Sequence, residues 1–108
     1  MPKTETTRAK KIRRRCLVVL RAARQAGGDG WTAARACFSY LRPEFDGLIL
    51  AEIDEAFSYL EGKEYAETRR AAESNNRLGE LQARIGASGL DLLGEMIPAD
   101  PGVEDLRV

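Results

Sequence analysis

The residues in this chain best equipped for chemistry are cations: Lys10, Lys11, Arg13, Arg14 and Arg15 crowd one short stretch near the start. Such a run suits phosphate contacts, where Lys and Arg neutralise charge and release counterions. Residues 1–24 hold nine cations against one carboxylate, Glu5, a net +8, although the 108-residue chain as a whole sums to zero. Everything from Gln25 onward therefore carries −8, and residues 25–68 set only Arg35, Arg42 and Lys63 against nine acids. A basic head on an acidic body is an electrostatic dipole, which bears on partners and not on fold. The plainer reading of the same run is a solvated helix face or a disordered basic arm.

Catalytic chemistry finds little to work with. The chain has no histidine, so the commonest general base and metal ligand is missing. Two thiols, Cys16 and Cys37, make a poor zinc site, which wants four N or S ligands. Each lies in a helix-like pattern and reads as a small buried apolar side chain, and a disulfide is not expected in a cytosolic chain. Gly27-Gly28-Asp29-Gly30 joins two helical patterns and is a turn rather than a phosphate cradle. Glu52, Asp54, Glu55 and Glu61 read as a solvated helix face, without the spacing of a Ca²⁺ loop. No enzyme activity, metal or cofactor is expected.

The elements that position these residues are mostly helical. From about Thr7 to Ala26, Ile12, Cys16, Val19, Leu20 and Ala23 form one apolar stripe, with Lys11, Arg14, Arg15 and Arg21 opposite. A second helix is predicted from about Trp31 to Arg42, with Trp31, Ala34, Phe38 and Leu41 inward and Pro43 as its stop. A third follows Asp46-Gly47, burying Leu50, Ile53, Phe57 and Leu60, and closes at Gly62-Lys63. Tyr40 and Tyr59 fall off these stripes and are candidate interface residues.

Residues 64–85 read two ways. Glu80 to Ile85 alternates polar and apolar as a half-buried strand does, yet Leu78, Leu81 and Ile85 also fit a helix face. Glu73-Ser74-Asn75-Asn76 is turn chemistry and favours a hairpin. Pattern alone leaves hairpin and helix open. Ser88, with Asp91 three positions on, is placed to cap a last helix whose inner face is Leu90, Leu93 and Ile97 and whose stop is Pro98. The domain is expected over residues 1–97, with 1–6 a flexible arm and 98–108 a polar tail that buries little. No apolar run approaches the roughly 20 residues that span a bilayer, and Cys16–Leu20 is too short for a signal peptide.

Three segments carry a family likeness: Arg13-Arg14-Arg15-Cys16-Leu17, the stretch from Ile53 to Lys63, and the stretch from Gly89 to Gly102, which ends in the unusual word Ile-Pro-Ala-Asp-Pro-Gly. In these the chain resembles a group of small winged-helix proteins of Mu-like bacteriophages. The resemblance implies a mainly α winged helix-turn-helix, with residues 64–85 a small β-hairpin, in the cytoplasm of a bacterial host. It implies no activity, because fold does not set function.

DNA association is then expected through backbone contacts from Lys10, Lys11, Arg13, Arg14 and Arg15 and from the wing residues Arg69, Arg70 and Arg77. Against base readout, the third helix offers carboxylates where Arg, Lys, Asn or Gln would read base edges. The alternative is a phage or host protein partner, or a homodimer, using Glu52, Glu55, Tyr59 and Tyr40. No membrane role is expected.

Overall fold

Apolar residues spaced three and four apart make the first element a long amphipathic helix. In the computed structural model, which describes residues 3–70 and 80–107, this helix α1 runs Lys3–Gln25. It begins earlier than its apolar stripe. Ile12, Cys16, Leu17 and Leu20 are buried along it.

The turn after α1 leads into a two-residue strand β1, Thr32–Ala33, before α2, Ala34–Leu41. This corrects the expected helix start at Trp31. The Trp31 amide donates to Asp29 Oδ1 at 3.0 Å, and the next two residues are claimed by a sheet ladder. A 3₁₀ turn, Arg42–Glu44, carries Pro43, and α3 follows at Leu50–Gly62. At its N-terminus the Ile49 amide donates to Glu52 Oε1 at 3.1 Å, satisfying one of the donors a helix start leaves open. Ile53, Ala56, Phe57 and Leu60 face inward.

Within residues 64–85, Ala66–Arg70 forms strand β2 and Leu81–Ile85 strand β3, so these two stretches are not helical. They pair antiparallel, Ala66 opposite Ile85 through Arg70 opposite Leu81. β3 also pairs with β1, Thr32 opposite Ala83, giving the order β1-β3-β2. Two strands were expected and three are present among the described residues. Two-residue β1 is too short to show an alternating pattern, which is why periodicity misses it. The turn residues Glu73 to Asn76 and Arg77 lie outside the described residues.

Helix α4, Ala87–Leu93, starts earlier than expected. Gly86 occupies the cap position and Ser88 sits inside the helix, so Ser88 caps nothing; the helix stops at Gly94, well before Pro98. Gly89 is where α4 meets the strands: a Cβ there would lie 2.3 Å from the Tyr65 carbonyl oxygen and 2.8 Å from Ile85 Cγ1. Only a residue without a side chain allows that approach.

The largest correction concerns the tail. Asp100 and Val103 are buried, and the Glu104 amide donates to the Lys10 carbonyl at 3.2 Å. Arg107 Nη2 reaches the Ile97 carbonyl at 2.5 Å. Residues 98–107 thus pack onto α1 and the end of α4. The described residues make a compact α/β domain of four α-helices and a small three-stranded antiparallel sheet around one core. Among the described residues no helix is long and apolar enough to cross a membrane.

Candidate nucleic-acid interface

Helical periodicity sets Arg8, Arg13 and Arg15 at the borders of α1's buried stripe, where neighbouring elements come within reach. Arg8 grips Glu52 of α3 with both ends of its fork, Nε to Oε2 at 2.8 Å and Nη2 to Oε1 at 3.2 Å. Arg13 does the same to Glu55, with Nη2 to Oε1 at 2.6 Å, and adds a third bond from Nη1 to the Gly102 carbonyl at 3.0 Å. Arg15 Nη2 bonds Glu44 at 2.9 Å, and Arg14 Nη1 reaches the Glu104 carbonyl at 3.4 Å. The Arg8 bond is the main cause holding the Glu52 carboxyl below its ordinary value, and Glu52 in turn raises the Arg8 guanidinium.

Two of the five clustered cations, Arg13 and Arg15, are therefore ion-paired inside the chain. Lys10, Lys11 and, about three turns on, Arg21 have no carboxylate partner among the described residues. Lys11 is exposed, while Lys10 and Arg21 are half-buried.

Behind Arg13 lies a network that the sequence reading missed. The Arg13 guanidinium stacks 4.0 Å from the centre of the Tyr59 ring. Tyr59 and Tyr65 each donate a hydroxyl to Asp100, at 2.8 Å to Oδ1 and 2.8 Å to Oδ2, and the Gly102 amide adds a third bond at 2.7 Å. Burial alone would raise the Asp100 carboxyl; the Gly102 amide, both hydroxyls and the Lys63 charge outweigh it and hold the carboxyl below its ordinary value. Burial and then the bond to Asp100 push the Tyr65 phenol up to about 12, and the same causes raise Tyr59. Gly102 must be glycine, since a Cβ would fall 1.9 Å from the Tyr59 hydroxyl. This is the physical content of the Ile-Pro-Ala-Asp-Pro-Gly word: a carboxylate that fastens the tail to α3 and the sheet. The available signal was an Asp-Pro-Gly turn directly after a proline stop, in a chain with two off-stripe tyrosines.

The hairpin cations have a different setting. Arg69 and Arg84 sit on the outer face of the sheet with Trp31 between them, their guanidinium carbons 4.1 and 4.6 Å from the indole centre. Arg69 Nε also bonds Gln82 at 2.8 Å, and Arg84 Nη2 bonds Glu67 at 3.0 Å. Arg70 is exposed at the end of β2, and Arg77 is outside the described residues. Trp31 was expected in the core behind α2; displaced by β1, it serves instead as a half-buried platform for two arginines.

The four residues expected to meet a protein partner part company. Glu52 and Glu55 are bonded to α1, and Tyr59 is half-buried with its hydroxyl on Asp100. Tyr40 alone stands clear, 69% exposed on α2. In the core, Cys16 and Cys37 are both buried and free. A hydrogen bond with Cys37, reinforced by burial, raises the Cys16 thiol well above its ordinary value, which makes it a poor nucleophile. Among the described residues no three His, Cys, Asp or Glu side chains gather as a metal site would require. No protein-family model, curated protein or solved structure matches the chain.

Proposed function

We propose that the chain is a winged-helix protein that binds DNA through its phosphates, with little base readout and without catalysis. The order of helix, short strand, two helices and hairpin, with a sheet ordered β1-β3-β2, supports the winged-helix reading. The observation that carries the DNA reading is the division of α1's cations. Arg8, Arg13 and Arg15 are bonded to carboxylates, whereas Lys10, Lys11 and Arg21 meet none among the described residues and are left for an external anion. At 1.5 Å per residue, Lys10 to Arg21 spans about 16 Å of helix, enough for several phosphates. The exposed arginines of β2 extend the surface. A phage setting in bacterial cytoplasm accompanies this reading on the strength of the three resembling segments.

Titrating salt against duplex binding by fluorescence anisotropy tests it. About four neutralised phosphates give a slope of log K on log salt near −3 to −4. Replacing Lys10, Lys11 and Arg21 together with Ala removes about 2 to 3 from that slope, while Arg15→Ala leaves it unchanged. No binding at low salt, or a slope indifferent to the triple change, overturns the reading. A protein partner is the second reading, favoured by Tyr40 on α2 and by Ile49 ahead of α3, which is 58% exposed. Tyr40→Ala would weaken a protein complex and leave the salt slope alone.

A further inference from the structure

The sheet ends at β2. In the order β1-β3-β2, the strand Ala66–Arg70 has β3 on one side and no further strand on the other among the described residues. An edge strand offers unpaired backbone donors and acceptors to any chain of matching length, and proteins that must stay single guard such edges with like charges or proline. This edge reads Ala-Glu-Thr-Arg-Arg, with one acid and one base flanking its central threonine.

That arrangement is self-complementary in one register. We propose that two copies of this chain pair antiparallel along Ala66–Arg70 about a two-fold axis at Thr68, joining their sheets into one of six strands. Across such an axis, Glu67 of each copy stands opposite Arg69 of the other, and Thr68 faces Thr68. Directly opposed residues share a face, so both charge pairs lie on the outer surface of the sheet. Glu67 already bonds Arg84, and Arg69 already bonds Gln82, so each cross-copy pair would extend an existing row of polar contacts. The Glu67 side chain is 60% exposed, which leaves it room for a second cation.

Neighbouring registers are selected against by the same charges. An axis at Glu67 sets carboxylate against carboxylate, and one at Arg69 sets guanidinium against guanidinium; like charges directly opposed destabilise a ladder. A two-fold interface uses one patch twice, so a single self-complementary strand suffices to define it. The proposal goes beyond DNA binding and stands independently of it.

Sedimentation velocity over a concentration series tests it on the full chain. The wild type should show a reversible monomer–dimer equilibrium. Glu67→Arg alone and Arg69→Glu alone each oppose like charges twice and should weaken association at least tenfold. The double exchange E67R/R69E restores opposite charges and should recover most of the loss. Circular dichroism melts establish that each variant is folded. If a charge variant unfolds, Thr68→Cys decides: mild oxidation should link two copies at position 68, while Arg70→Cys, whose thiols would lie about 13 Å apart along the strands, should not link. A wild type that stays monomeric at every concentration overturns the proposal. So does a dimer indifferent to the single exchanges, a double exchange no better than either single one, or equal linking at positions 68 and 70.

Discussion

Arginines on two sides of this molecule meet opposite fates. Along the seam of α1 with α3, the 3₁₀ turn and the tail, Arg8, Arg13 and Arg15 each bond a carboxylate from 29 to 44 positions away in sequence. On the outer sheet face, Arg69 and Arg84 stack on one indole and bond their strand neighbours, keeping a surface that still looks outward. The basic run that looked like the phosphate-binding feature is thus in part a structural seam. The lesson is that a cation's availability depends on which carboxylates the fold carries to it. At Arg13 a backbone carbonyl and a tyrosine ring add to the ion pair, so this arginine ties α1 to both α3 and the tail.

Asp100 is where the seam is most vulnerable. Replacing it with Ala strands two tyrosine hydroxyls and the Gly102 amide, and the loss should be about 3 kcal/mol in urea denaturation. A loss below about 1 kcal/mol would mean the tail contributes little and the seam is weaker than its geometry implies.

Next in size is the response to pH, which acts on the same network from both ends. Tyr65 titrates at about 12 when folded, above its ordinary value near 10. Its stabilising contribution is therefore complete below about pH 10 and is lost as pH rises through about 12. Asp100 is displaced the other way, so its contribution is present above the ordinary carboxylate value and is lost as pH falls through its lower folded value. Tyrosinate absorbance, followed alongside amide exchange of residues 100–104, should show the tail loosening in the alkaline window. Ionisation of all tyrosines near pH 10 would contradict this.

The finest test compares two arginines of one helix. Arg13→Ala removes a bidentate pair, a bond to the Gly102 carbonyl and stacking on Tyr59, and should cost about 1 to 2 kcal/mol. Arg15→Ala removes an ion pair whose side chains are 39% and 43% exposed, and should cost about 0.5 kcal/mol or less. Equal losses would show that the seam is uniform and that the tail adds nothing at Arg13.

Much of the fold was legible. The stripe Ile12, Cys16 and Leu20 and the stripe Ile53, Phe57 and Leu60 are buried as helical periodicity requires. The hairpin was legible only in part, because alternation over Glu80–Ile85 also fits a helix and the resemblance had to decide. The site was read less well. Lys10, Lys11, Arg13, Arg14 and Arg15 are all cations, but successive residues of α1 point about 100° apart, so the five face different neighbours. A basic first helix and an acidic third helix in one short chain were the signal that some of these charges would satisfy each other.

The amphipathic helices follow from residue order alone, since apolar spacing dictates which face of each must leave water. Residue order also determined where breaks fall, at Gly27 to Gly30 and around Pro43, because backbone freedom and a missing amide are local properties. The tertiary structure alone decided which cations are paired, why Trp31 left the core for the sheet face, and that residues 98–107 belong to the domain. Those outcomes rest on atoms far apart along the chain, and Coulomb attraction and hydrogen bonding act across a few ångströms of space whatever the distance in sequence.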